Sequence, residues 1–211
     1  MDLARKINHN LELYPTHFNR LRSHYGLTEE TIQQSGLFSA DSKLLNQILK
    51  RKDIECEGIV IPYLSKDLDR VRLDTPISLN SNEVKYLSPS GSKNSLYIPN
   101  SLREILQDPS RLLYFTEGEL KALKAIQEGF PCIGLPGIWG FLSNGKLLED
   151  FNLIEFKHRE VVVVLDSDAE YNLNVHRAGV YFAIELAKLG AKPRLITLPE
   201  FKEKSNEDRI R

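Results

Sequence analysis

The chain has 211 residues, 41% of them hydrophobic, enough for one large domain or two small ones, and its 28 Lys+Arg against 29 Asp+Glu exclude a strongly basic protein that coats nucleic acid. No apolar run nears the roughly 20 residues that cross a bilayer, and "MDLARKINHNLELYP" holds no apolar stretch before a small-residue cleavage site, so a cytoplasmic location without a membrane partner is expected. Cys56 and Cys132 stand far apart outside any C-x-x-C pair, which excludes a disulfide framework and a Cys-rich zinc site.

Residues 14–36 read as two short helices, with Pro15 near a start, Gly26 at the break, and Thr28 as N-cap ahead of Glu29 and Glu30. The spacing is only loosely that of a DNA-reading helix pair, and a helical hairpin packed on the following sheet is the expected structure. From Glu57 to Pro99 the runs "GIVIPYL", "RVRL" and "VKYL" predict short strands, separated by the turn-like "SKDLD", "TPISLNSNE" and "SPSGSKNS". Arg70, Arg72, Lys85 and Lys93 lie on or beside these strands, and the two-residue spacing puts Arg70 and Arg72 on one face. A solvated sheet surface would look the same.

After "SLREILQDP", a short helix stopped by Pro109, strands and helices alternate: "RLLYFT", "GELKALKAIQEG", "PCIGL", "VVVVL", "NVHRAGVYFAIELAKLG" and "PRLITL". This order predicts right-handed βαβ units and a parallel sheet, with the valine run buried on both faces. A helix over 174–189 would bury Val175, Ala178, Val180, Phe182, Leu186 and Leu189 and stop at Gly190. The segment "EFKEKSNEDRIR" is a highly charged tail, loose or helical.

In parallel α/β sheets ligands collect beyond the carboxyl ends of the strands. Glu117 follows "RLLYFT" and the pair Asp166 and Asp168 follows "VVVVL", so the three acids are expected at one rim. Carboxylates brought together raise one another's pKa unless a cation neutralises them, and Mg²⁺ (or Mn²⁺) suits an all-oxygen set serving phosphate chemistry. An Asp at a strand end also caps turns, so neither motif alone decides the matter. His176 could touch a phosphate or simply face solvent in a first helical turn. Trp139 in "LPGIWGF" could stack on a base or pack on the sheet. No G-x-x-x-x-G-K-[ST] loop or nucleophile elbow is present, which leaves ATPase and serine-hydrolase readings unsupported.

"TEGELKAL" followed by "VVVVLDSD" resembles the TOPRIM domain of primases, topoisomerases and some nucleases, over about Leu112 to Pro199. "GIVIPYL", "RVRL", "KYLSPSG" and "SLYIP" resemble the part of bacterial primase cores that precedes it, so the likeness extends over roughly residues 10–200 and is strongest to TOPRIM-containing plasmid and phage replication proteins. The resemblance implies a TOPRIM-like Rossmannoid parallel sheet flanked by helices, preceded by a small α+β subdomain. It divides the chain into a primase-core-like unit (1–110), a TOPRIM unit (111–200) and a charged tail (201–211).

By the same resemblance Glu117, Asp166 and Asp168 are catalytic and metal-binding, and Gly118 permits the turn behind Glu117. Arg72 and Lys85 match basic positions that contact template or nucleotide phosphates, with Arg70 and Lys93 as neighbours. Glu119 and Lys121 belong to the motif's "EGE-x-KA" form, although helix surface is an equal reading for them. The chain departs from typical primases in having no zinc-ribbon module, no helicase module and no clean "DPD" element, for which Glu207 and Asp208 are poor stand-ins.

The implied function is a primase-like, Mg²⁺-dependent nucleotidyltransferase acting on single-stranded DNA and nucleotides in plasmid, phage or mobile-element replication. A helicase or other replication protein is the expected partner. The alternatives are a metal-dependent nuclease on the same acids and a non-catalytic adaptor that binds nucleic acid or a helicase.

Overall fold

The computed structural model describes residues 12–63, 68–79 and 81–200; the tail 201–211, with Glu207 and Asp208, lies outside the described residues. Helix α1 (Pro15–Ser23) opens on its proline, and α2 (Glu29–Ser35) is capped by Thr28, whose hydroxyl accepts from the Thr31 amide at 3.2 Å. Such a cap stabilises a helix by about 1 kcal/mol. Strand β1 (Phe38–Ala40) and helix α3 (Ser42–Leu49) follow, the latter capped by Asp41. With β2 (Gly58–Tyr63), β3 (Leu68–Leu79) and β4 (Asn82–Leu87), β1 forms an antiparallel sheet of order β1-β2-β3-β4.

Strand β3 runs well beyond "RVRL", through Thr75–Leu79, which the sequence had suggested as a turn. The register against β4 shifts between Arg72 and Ile77, and Pro76 sits in that irregularity, where its missing N–H removes no ladder bond.

The second half is built on β5 (Leu113–Glu117), α4 (Glu119–Gln127), β6 (Cys132–Leu135), a small hairpin β7 (Leu142–Ser143) and β8 (Lys146–Leu147), β9 (Glu160–Leu165), α5 (Leu173–Lys188) and β10 (Lys192–Thr197). Its main sheet is parallel, of order β10-β9-β5-β6. The chain is therefore a mixed α/β protein with a parallel sheet flanked by helices, as the alternation of strands and helices predicts.

From the centre of this sheet the β5-to-β6 and β9-to-β10 crossovers run in opposite directions, so right-handed connections put α4 and α5 on opposite faces. Alternation sorts the side chains to match. Leu113, Phe115, Val161, Val163 and Leu165 pack with Phe182 and Leu186 of α5 in one core. Cys132 and Tyr114 turn to the other side, where Leu120 and Leu123 of α4 meet Leu21, Ile59, Ile61 and Tyr97 from the first half. The two sheets thus share a core across the 110/111 division.

On α5 the buried residues are Val175, Ala178, Gly179, Phe182 and Leu186, a true 3.6-residue stripe. Of the two others expected inside, Val180, 39% exposed, falls off that stripe, and Leu189, 40% exposed, is in phase with it but is the C-cap beyond the last helical residue. Gly179 allows a close approach: a Cβ there would lie 2.8 Å from Leu165 Cδ1, so α5 rests directly on the end of β9 and a larger residue would have to push that side chain aside. Among the described residues no helix is long and apolar enough to cross a membrane. Both cysteines are free, and burial pushes the Cys132 thiol up to about 12.

Candidate active site

Strands β5 and β9 are adjacent and parallel, with Thr116 opposite Val164, so Glu117 and Asp166 leave the sheet side by side at its carboxyl end. This is the point where the two crossovers diverge, the position at which such sheets open a crevice. Gly118, at φ +93°, takes the backbone from β5 into α4 through a conformation that L side chains rarely adopt.

The three acids are under-neutralised. Glu117 is half-buried and its carboxylate has no hydrogen-bond or ion-pair partner among the described residues. Burial pushes its carboxyl above the usual glutamate range; Lys121 pulls it down, Asp166 and Asp168 push it up, and Arg70 pulls it down. Asp168 accepts from Asn172 Nδ2 at 3.2 Å, while Asn172 itself caps α5, and Asp166 is ion-paired with Lys121. The acids are not drawn into one tight group: among the described residues the only set of three candidate ligands with all ligand atoms within 4.8 Å is His17, Glu57 and Asp74. As a donor set, three carboxylates with one left unpartnered fit a hard divalent ion such as Mg²⁺ or Mn²⁺.

Across the cleft from Glu117 stand Arg70 and Tyr86, a wall from the antiparallel sheet. Arg70 and Arg72 share one face of β3, as their spacing implies, and Arg72 is opposite Tyr86 of β4. The Arg70 guanidinium lies 5.6 Å from the Tyr86 ring centre, and that of Arg72 lies 5.8 Å from Tyr25 while Nε donates to the Tyr25 hydroxyl at 2.9 Å. Burial foremost, then the hydrogen bond with Tyr25, raises the Tyr86 phenol, so it stays protonated at neutral pH. Tyr25, Arg70, Tyr86, Glu117 and Lys121 line a cleft of about 150 Å³.

Glu119 does not sit on the helix surface. It is 1% exposed, and its Oε1 accepts from Tyr63 Oη at 2.7 Å and from Arg70 Nη1 at 2.5 Å. Arg70 also donates to the Pro136 carbonyl at 3.0 Å, so its charge is largely spent inside the protein. Lys85 and Lys93 are exposed and outside the cleft; strand alternation turns Lys85 to the face of β4 opposite Tyr86. His176 is exposed in the first turn of α5. Trp139 packs on Phe141 and Tyr181, at 6.0 and 5.8 Å between ring centres, and donates to Asn174.

The set around His17 is a structural tie. His17 is fully buried, with Nδ1 at 2.7 Å from Ser39 Oγ and Nε2 at 2.8 Å from Asp74, which also pairs with Arg20. These bonds fasten α1 to β1 and β3. Tyr25 and Tyr86 are the site residues the sequence reading passed over. Tyr86 lay within "KYL", but nothing in "HYGL" marked Tyr25, whose place depends on how α1 crosses the sheet.

A model of the family described as "Domain of unknown function (DUF3854)" matches residues 102–211, just over half of the chain. The Gene 57 protein of Mycobacterium phage D29 is 28% identical over 122 residues, which are 58% of this chain and 68% of that protein. Among solved structures, the DnaG catalytic core aligns with a TM-score of 0.59 at 16% identity, covering 93% of this chain and 70% of that one. The DnaG primase catalytic domain bound to ssDNA aligns at 0.58 and 14%, covering 97% and 72%. At these identities the likeness is one of fold, and it spans both sheets.

Proposed function

This chain belongs to the family described as Domain of unknown function DUF3854, and from that premise we propose that it is a primase-like nucleotidyltransferase core of phage, plasmid or mobile-element replication. The fold shared with the DnaG catalytic core and the similarity to a phage protein support a replication role. In this reading residues 1–110 are the primase-like subdomain, residues 111–200 are the TOPRIM unit, and single-stranded DNA and nucleotides are the substrates, in the cytoplasm.

The observation that carries the reading is the rim itself: a half-buried, unpartnered Glu117 beside Asp166 and Asp168, facing Arg70 across the cleft, with Arg70 and its neighbour Arg72 each stacked on a tyrosine. Glu117, Asp166 and Asp168 would hold Mg²⁺ or Mn²⁺, which supplies activation of an attacking hydroxyl and neutralisation of phosphate charge. Arg70 and Lys121 line the cleft, and Arg72, held against the cleft residue Tyr25, is the neighbouring cation proposed to meet a phosphate entering it. Arg70 orients the wall through Tyr86 while tied to Glu119. Lys85 and Lys93, outside the cleft, offer screened contacts to a template backbone.

The test is templated primer synthesis by the purified chain with Mg²⁺ or Mn²⁺. Synthesis is expected, and Asp166→Asn with Asp168→Asn should abolish it; product that persists unchanged removes these acids from the mechanism. One observation favours a second reading, a non-catalytic adaptor: Asp166 already has a cation in Lys121. Nucleic-acid binding without synthesis or cleavage, and unaltered in the double variant, would select it. Cleavage without extension would mark a nuclease on the same acids, since fold does not decide the reaction.

A further inference from the structure

The inference concerns Lys121 and rests on the metal reading just given. Lys121 lies in the first turn of α4, and its Nζ is ion-paired with Asp166 while its charge also pulls down the Glu117 carboxyl. Neither partner is locked in place: the side chains of Lys121 and Asp166 are 47% and 35% exposed. A pair so open to water is weak and screened, and it can be exchanged for a stronger cation.

Room for the exchange exists. Lys121 borders the acid cleft on one side and, on the other, a largely apolar cavity of about 540 Å³ against Tyr114, Phe130, Val164 and Ile196. A four-carbon stem can lie against such a surface while its ammonium stays in water. Lysine suits the task because it is a compact point charge on a flexible stem.

We propose that Lys121 is a built-in counter-cation of the acid rim, a positioning residue that holds Asp166 beside Glu117 before a divalent ion arrives and competes with that ion for Asp166. The chain then binds divalent ions more weakly than its carboxylates alone would, and ion entry is coupled to release of the Lys121 ammonium.

The experiment is Mn²⁺ titration of the full chain by calorimetry, comparing native protein with Lys121→Gln, Lys121→Arg and Lys124→Gln. Lys121→Gln should bind Mn²⁺ about five-fold more tightly, the equivalent of one exposed ion pair removed from the competition. Lys121→Arg should stay near native. Lys124→Gln, which removes the same charge from the same helix away from the acids, should leave the affinity near native. Equal or weaker affinity in Lys121→Gln, or equal tightening in Lys124→Gln, overturns the role of Lys121 while leaving the metal reading intact. If no variant and no native protein binds Mn²⁺, the metal reading fails and this inference falls with it.

Discussion

Two carboxylates two positions apart, on either side of Gly118, meet opposite fates. Glu119 is 1% exposed at the junction of the two sheets and is gripped by Tyr63 and Arg70. Glu117 faces the cleft, half-buried and without a partner, against two further acids. The junction is a place where opposite charges are paired to fix geometry, although Glu119 Oε2 and Arg70 Nε stay buried without hydrogen-bond partners, and the rim is a place where a carboxylate has no paired charge. Stability alone would favour pairing or removing every buried charge, and on the proposed function the unpaired Glu117 at the strand end is kept for a ligand.

The contrast breaks most visibly at the junction. Glu119→Ala strands the Arg70 guanidinium, whose side chain is only 13% exposed, and should destabilise the protein by about 3–5 kcal/mol in urea unfolding. Replacing both partners, as in Arg70→Met with Glu119→Leu, should recover most of that loss; a single variant as stable as native would show that the junction is no more structural than the rim. A smaller effect is expected where α5 rests on β9. Gly179→Val forces Leu165 aside just before Asp166, which should cost about 1–3 kcal/mol and weaken Mn²⁺ binding at the rim, read by thermal unfolding and titration.

The smallest effect sharpens the contrast by its sign. The folded state holds the Glu117 proton more tightly than the unfolded chain does. This group therefore favours folding fully below its ordinary value of 4.5, and that contribution is lost as pH rises through the raised value. Glu117→Gln removes this dependence. It should be more stable than native at pH 8, with the advantage fading toward pH 4, when urea midpoints are compared across the range; a loss of stability at pH 8 would reveal a structural partner for Glu117.

The parallel sheet was legible because its strands are short apolar runs separated by helical patterns, and the acids were legible because they end those runs. The place of Glu119 was not: an acid in a helix's first turn reads as solvated, and only the approach of Tyr63 and Arg70 from another sheet buries it. Strand β1 is three residues long, too short to show a period, and the 75–79 stretch of β3 was masked by the proline at its bulge. Arg70 and Arg72 were correctly placed on one face by alternation, yet which of them spends its charge internally depends on contacts made across the fold.

The core that Leu21, Ile59 and Ile61 share with Leu120, Leu123 and Cys132 has a mechanical consequence. A clamshell opening would tear apolar side chains from both halves at once, so the wall of arginines and the rim of acids keep a fixed separation. On the proposed function a nucleic-acid strand would therefore thread into this groove rather than be clasped by it, and a protease nick in the loop between the sheets would leave two fragments still adhering.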